Sequence, residues 1–216
     1  MIVATPPPLT DQADDIEQVW DLFLVIAVGV GVFVVGLIAY AVIRFRRRDD
    51  SLPSQVHYNI PMEVAYTAIP LLVVIGLFVI TFTSVRAIDR GDDDPDLVVE
   101  VVGFQWQWQF GYPESGVVVV GNASTDPELV LPTGASVEFE MTSLDVIHSF
   151  WIPGFRFKRD IFPGETTTFQ VDVGERTGFY QSSGVCAEFC GLDHHKMRFS
   201  VRIVTPAEFE QWAADR

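Results

Sequence analysis

The chain is short of three things. Cysteine occurs twice in 216 residues, as Cys186 and Cys190, and lysine twice, as Lys158 and Lys196. Positive charge as a whole is scarce: Lys plus Arg is 14 against 29 Asp plus Glu, a formal charge of −15. Two cysteines cannot staple a scaffold of this size. Nucleic-acid binding needs a basic footprint, and a charge balance this acidic nearly excludes it. No Cys-x-x-Cys-His occurs, which excludes a c-type haem attachment. No internal repeat or low-complexity tract is present. A 49% hydrophobic content and a mean hydropathy of +0.27 exclude a disordered acidic tail. The length predicts one or two domains.

What the chain has in abundance is apolar sequence, gathered in two blocks. Residues 22–43 and 64–85 are uncharged runs of 22 residues each, the second interrupted by Pro70 alone. At 1.5 Å per residue each helix would be about 33 Å long, enough to cross a hydrocarbon core. Buried helices of a soluble protein seldom stay apolar all round for this length. Neither run has a signal peptide's basic flank, since Asp11, Asp14, Asp15, Glu17 and Asp21 precede the first. Arg44, Arg46, Arg47 and Arg48 lie between the runs, so the positive-inside rule puts the loop 44–63 in the cytoplasm. The acidic segment 1–21 and everything after the second span are then expected outside. Trp20 and Tyr40 fall near the ends of span one, where amphipathic aromatics favour the interface.

Residues 86–96 read as a linker containing Gly91-Asp-Asp-Asp-Pro-Asp96. From residue 97 the period changes to about two. Residues 97–108, 117–120, 136–141, 166–173 and 199–204 read as strands rich in Val, Phe and Thr, with Gly and Pro in the gaps. Many short strands with turn signals predict an all-β Greek-key sandwich or barrel over 97–216. Residues 206–212 read as a short helix with Pro at its first turn.

The chemistry is concentrated in Cys186-Ala-Glu-Phe-Cys190-Gly-Leu-Asp-His194-His-Lys-Met197, with a further His148 in Asp145-Val-Ile-His148-Ser-Phe-Trp-Ile-Pro153. Three readings are open. A disulfide between Cys186 and Cys190 suits an extracytoplasmic domain but leaves His194 and Met197 without a purpose. Zinc accepts two Cys and two His, yet has no use for Met197. Copper takes thiolate, imidazole and thioether together as a soft-ligand set. A mononuclear blue-copper site needs one Cys only, whereas two bridging thiolates could hold two ions. The Glu188 backbone carbonyl could supply a further ligand.

These paired motifs resemble the CuA-binding subunit II of cytochrome c oxidase. The resemblance extends to the two N-terminal spans, to Met62-Glu-Val-Ala-Tyr-Thr-Ala-Ile-Pro70, and to Gly103-Phe-Gln-Trp106-Gln-Trp108. It implies a cupredoxin barrel carrying a binuclear mixed-valence copper centre. The implied ligands are His148, Cys186, the Glu188 carbonyl, Cys190, His194 and Met197. The Glu188 side chain would reach a magnesium ion at the boundary with subunit I. His195, beside a ligand, is expected to face away. Trp106 resembles the family's electron-entry tryptophan, its large π-surface shortening the tunnelling gap; a packed aromatic is the plainer alternative. Glu63, at the cytoplasmic start of span two, reads from residues alone as a boundary carboxylate, and the resemblance implies entry to a proton pathway.

The resemblance further implies a proton-pumping haem–copper oxidase in the plasma membrane. A cytochrome c or a small blue-copper protein would deliver electrons, which leave from the His194 side toward haem in subunit I, where oxygen is reduced to water. Three departures from the family pattern stand out: Tyr66 in place of the usual Trp, Gly184-Val185 before the first Cys, and Glu165 after Pro163-Gly164. The last inverts a charge near the base of the domain, where the resemblance implies contacts with subunit I. The rivals are the CuA subunit of a nitric oxide reductase and a membrane-anchored copper chaperone. Two N-terminal spans argue against nitrous oxide reductase, and the Cys pair argues against a quinol-accepting subunit. Residues 86–216 carry 10 basic and 21 acidic groups. That excess suits an acidic docking face or a surface adapted to high salt; Asp over Glu at 17 to 12, and Arg over Lys at 12 to 2, resemble the halophile pattern.

Overall fold

The computed structural model describes residues 6–48, 55–91, 94–122 and 125–216. Parts of the expected N-terminal segment, cytoplasmic loop and linker lie outside the described residues. The chain divides into two units. Among the described residues, one holds those from 18 to 85; the other joins residues 6–17 to those from 86 to 216.

The first unit is built on residues 18–44 of α1 (Asp11–Arg44) and residues 60–85 of α2 (Ile60–Ile88). Both helices run past the apolar blocks at each end. The most apolar windows have mean hydropathies of 3.0 and 2.5, and none of either is buried against protein. Side chains such as Val32, Phe33, Val35, Leu72 and Phe78 are all exposed. Such helices need a hydrocarbon solvent, in which every backbone group is satisfied within the helix. The first turn of α2 is capped: Met62 N donates to Asn59 Oδ1 at 3.3 Å and Asn59 N donates to Glu63 Oε1 at 3.0 Å. A carboxylate there also meets the positive end of the helix dipole.

The second unit is a β domain of ten strands. β1 (Leu97–Phe104), β2 (Gln107–Tyr112), β3 (Val117–Val120), β5 (Ser136–Ser143) and β8 (Thr167–Asp172) form one sheet in the order β3-β2-β1-β5-β8. β4 (Glu128–Pro132), β6 (His148–Ile152), β7 (Phe157–Ile161), β9 (Gly178–Cys186) and β10 (Arg198–Val204) form the other, in the order β4-β10-β9-β6-β7. β1 runs parallel to β5 and β4 parallel to β10; the remaining pairs are antiparallel. Alternate residues point inward, so Val99, Val101, Phe139 and Met141 are buried while Glu100 and Glu140 are exposed. Between the sheets lies an aromatic core in which Phe150 stacks on Phe199 at 5.0 Å and Trp108 meets both edge-on at 5.6 Å. This is the all-β, two-sheet unit that the strand pattern predicts, and its cupredoxin-like form is the one that the resemblance implies.

The structure corrects one strand. Residues 97–108 do not form a single strand: the ladder pairs Phe104 with Gln107, and Gln105–Trp106 make a two-residue turn. That turn lacks the Gly or Asn that would mark it in sequence. It is held from outside, by bonds described below. β4, β6, β7 and β9 are short or interrupted by polar and small residues, which masks their period in sequence.

α3 (Pro206–Ala214) starts at a capping box between Thr205 and Glu208. It places Phe209 and Trp212 against Tyr112, at ring distances of 5.9 and 5.0 Å. The buried Tyr112 hydroxyl donates to Val130 O at 3.0 Å and accepts from Val130 N at 2.8 Å. Residues 6–17 complete the unit. Leu9 is buried; its N–H donates to Gly154 O at 2.9 Å and its carbonyl accepts from Gly174 N at 3.0 Å. Gly154 follows β6 in one sheet and Gly174 follows β8 in the other, so this segment bridges both. Gln12 makes two hydrogen bonds to Asp172, at 2.8 and 2.9 Å, and Glu17 pairs with Arg156 at 2.9 Å.

Candidate metal centre

Three pieces of chain meet at one end of the β domain. β6 starts at His148, β9 ends at Cys186, and the segment between β9 and β10 carries Glu188, Cys190, His194 and Met197. Cys186 N donates to Met197 O at 3.0 Å, closing the base of that segment, and Ala187 N donates to Ser149 O at 2.9 Å, tying it to β6. A 3₁₀ turn at His194–Lys196 brings His194 back toward the cysteines.

The two sulfurs are 3.8 Å apart. A disulfide needs about 2.05 Å, and both thiols are free. A metal–thiolate bond is about 2.3 Å, so both sulfurs can reach one ion from this separation. His148 Nδ1 lies 3.7 Å from Cys186 Sγ, and His194 Nδ1 lies 3.6 Å from Cys190 Sγ. The Glu188 carbonyl is 3.2 Å from Cys186 Sγ, and Met197 Sδ is 3.8 Å from Cys190 Sγ. The ligating atoms of His148, Cys186 and Cys190 all lie within 4.8 Å of one another. Six donor atoms converge, more than the four that fill a structural zinc site. The thioether and paired thiolates are soft donors. His148 and Met197 are wholly buried and both cysteines nearly so.

The electrostatics favour a cation between the sulfurs. Burial raises the Cys186 thiol, but contacts with His148 and with the backbone at Ser149 and Glu188 bring it down to about 7. Burial, and then the Cys186 thiolate beside it, push Cys190 up to about 12. The pair accepts one negative charge readily and resists a second until a metal ion removes the repulsion.

The turn between β1 and β2 covers this centre. Gln105 Nε2 and Trp106 Nε1 both donate to the Cys190 carbonyl, at 2.7 and 3.2 Å. Gly191 has φ +116°, and a Cβ there would meet those two nitrogens at 3.1 and 3.3 Å. The Cys-Gly pair in the motif thus has a steric cause. Gly103 plays a similar part: a Cβ there would strike Ile161 at 2.6 Å and crowd the His148 ring at 3.3 Å. On the far side of the ring, His148 Nε2 lies 2.9 Å from Asp145 Oδ1.

The structure therefore brings His148, Cys186, Glu188, Cys190, His194 and Met197 together, with Trp106 against them. His195 is exposed, and its carbonyl accepts from Arg198 Nε at 3.3 Å. Glu63 belongs to the helical unit and lies in the first turn of α2. Sequence reasoning passed over Gln105 and Asp145. The signal for both was present, since each sits within a quoted motif and Asp145 lies three residues from His148, but the partners of Gln105 lie 85 and 40 residues away.

Residues 97–204 match the family described as cytochrome c oxidase subunit II, periplasmic domain, and residues 4–86 match its transmembrane domain. A protein named as a probable cytochrome c oxidase subunit 2 from Streptomyces avermitilis is 36% identical over 97% of this chain and 77% of its own length. Cytochrome c oxidase subunit 2 of Mycobacterium bovis is 31% identical over 99% of this chain and 75% of its own. Among solved structures, the periplasmic domain of subunit II of cytochrome oxidase from Bradyrhizobium japonicum is similar. It shares 30% identity over 56% of this chain and 94% of that one, with a TM-score of 0.49.

Proposed function

The chain belongs to the cytochrome c oxidase subunit II family, and from that premise we propose that it takes up electrons outside the membrane at a binuclear copper centre held by His148, Cys186, the Glu188 carbonyl, Cys190, His194 and Met197. It is subunit II of a haem–copper oxidase, a membrane protein with an extracytoplasmic domain that works within the oxidase complex. The observation that carries the copper reading is the donor set. Two free thiols 3.8 Å apart, each with an imidazole of its own, are joined by a thioether and a carbonyl. Six donors are too many for one tetrahedral ion, and two thiolates that bridge let a second ion share them.

Copper supplies a one-electron acceptor when bound. The chain's own part is to fix the donors and keep water out, which tunes the potential. Trp106 is assigned as the entry point for electrons: it is half-buried, and its indole reaches the backbone of Cys190 directly. Val146, Ile147 and Phe189 line an apolar hollow against Gln105, Cys190 and Gly191, which suits an electron donor that docks by apolar contact. A cytochrome c or a small blue-copper protein fits that description. The exposed Glu188 carboxylate is assigned to magnesium at the boundary with subunit I. Glu63 is assigned to proton uptake from the cytoplasmic side. The packing of residues 6–17 on the copper-bearing domain supports an N-terminus on the same side as that domain.

Copper loading of the purified full chain tests the reading. We expect two coppers per chain and an EPR hyperfine pattern from one unpaired electron spread over two nuclei. One copper, stoichiometric zinc in the copper-loaded protein, or a Cys186–Cys190 disulfide by mass spectrometry would overturn it.

A further inference from the structure

Asp145 is placed where it touches both the copper site and the turn that covers it. Its Oδ1 lies 2.9 Å from His148 Nε2 and accepts from Val146 N at 2.6 Å, while its Oδ2 accepts from Gln105 N at 2.7 Å. The loop that holds it is itself fixed. Asp145 N donates to Ser143 Oγ at 3.3 Å, and Ser143 Oγ bonds in turn to the Val146 carbonyl. Gln105 then spans the remaining gap, its backbone on Asp145 and its side chain on the Cys190 carbonyl. The result is a closed circuit that runs from His148 through Asp145 and Gln105 to Cys190, with Trp106 bonded to the same carbonyl.

We propose that Asp145 is a positioning residue for the metal centre: its carboxylate orients His148 and locks the Gln105–Trp106 turn onto Cys190. Resting on the copper reading above, the proposal adds a residue outside the donor set. The physical grounds are two. His148 is wholly buried, and its Nδ1 faces Cys186, so Nε2 is the only ring nitrogen left to set the ring's rotation. A carboxylate on that nitrogen fixes the tautomer and raises the basicity of the other. Second, the Gln105–Trp106 turn has no turn-forming residue of its own, and the N–H at its first position is satisfied by Asp145. A negative charge this close to a redox centre also stabilises its more positive, oxidised state.

The rival role is a plain docking charge, since the Asp145 side chain is 31% exposed. Docking charge alters the salt dependence of encounter, not the centre's potential or spectrum. The test uses the full chain with Asp145→Asn and Asp145→Ala, loaded with copper. Asp145→Asn is expected to keep the wild-type copper content, to raise the midpoint potential and to change the EPR hyperfine pattern. In the metal-free protein, Asp145→Ala is expected to speed amide hydrogen exchange over residues 104–107. Loss of copper from Asp145→Asn, or potential, spectrum and exchange all matching the wild type, would overturn the proposal. A wild-type chain holding fewer than two coppers would instead sink the copper reading itself, so the two failures are distinct. Should Asp145→Ala fail to fold, the potential and spectrum of Asp145→Asn decide the matter.

Discussion

Single residues at the metal end of the β domain have separable duties. Cys186→Ser removes the more readily ionised thiol of the pair, and copper per chain, measured by elemental analysis, should fall below two. Gly191→Ala meets a different obstacle, because φ +116° leaves a side chain strained and its Cβ presses on the donors from Gln105 and Trp106. A cost of about 1–3 kcal/mol is expected from such a backbone position. A urea melt should show it together with weaker copper retention. The candidate donor side chains and their order were readable because soft-metal chemistry would need those residue types at short spacing, and the structure gathers their atoms at one end of the β domain. Gln105 was not readable, because its bonds depend on a turn where the pattern reads as an uninterrupted strand, and the link from Asp145 to Gln105 was hidden for the same reason. Glu208 gives a case governed by pH. Hydrogen bonds from Thr205 hold its carboxylate below the usual value of 4.5. A depressed acid stabilises the fold above that value, and the contribution is lost as pH falls through the lower folded one. Glu208→Gln should therefore remove part of the acid-induced drop in the stability of the β domain, read as the urea midpoint against pH.

Among elements, the segment of residues 6–17 changes what counts as the β domain. Sequence marked it as an acidic extracytoplasmic tail. Its acidic residues do describe its solvent side, but Leu9 and Ala13 are buried and it bonds to both sheets. A single leucine in an acidic stretch gives no periodic signal, so this packing could not be read from pattern. A protein cut to residues 86–216 should melt well below one that also carries residues 6–17. Within the full chain, Leu9→Ala should cost about 2–5 kcal/mol, the range for deleting a buried leucine side chain. Differential scanning calorimetry would check both, and equal stability of the two forms would make the segment dispensable. The membrane helices were legible because buried helices of a soluble protein seldom stay apolar for 22 residues, whereas strands such as β6, with His148 and Ser149 both buried, hide their period behind the residues that build the site.

For the whole molecule, charge and hydrophobicity are divided between the units. Residues 86–216 hold most of the acidic excess, and the helices hold most of the exposed apolar surface. A basic donor should therefore associate more slowly as salt rises, with the loss saturating once the Debye length falls to about 3 Å near 1 M. Stopped-flow oxidation of the donor across salt concentrations measures this. A flat profile would assign the acidic surface to solvation and leave docking to apolar contact around Trp106. The bonds that Leu9 makes to both sheets have a further bearing, on the order of events in folding. Its partners Gly154 and Gly174 leave the ribosome more than a hundred residues after it. Those contacts can close only after most of the β domain has been made, and a pairing this distant closes late.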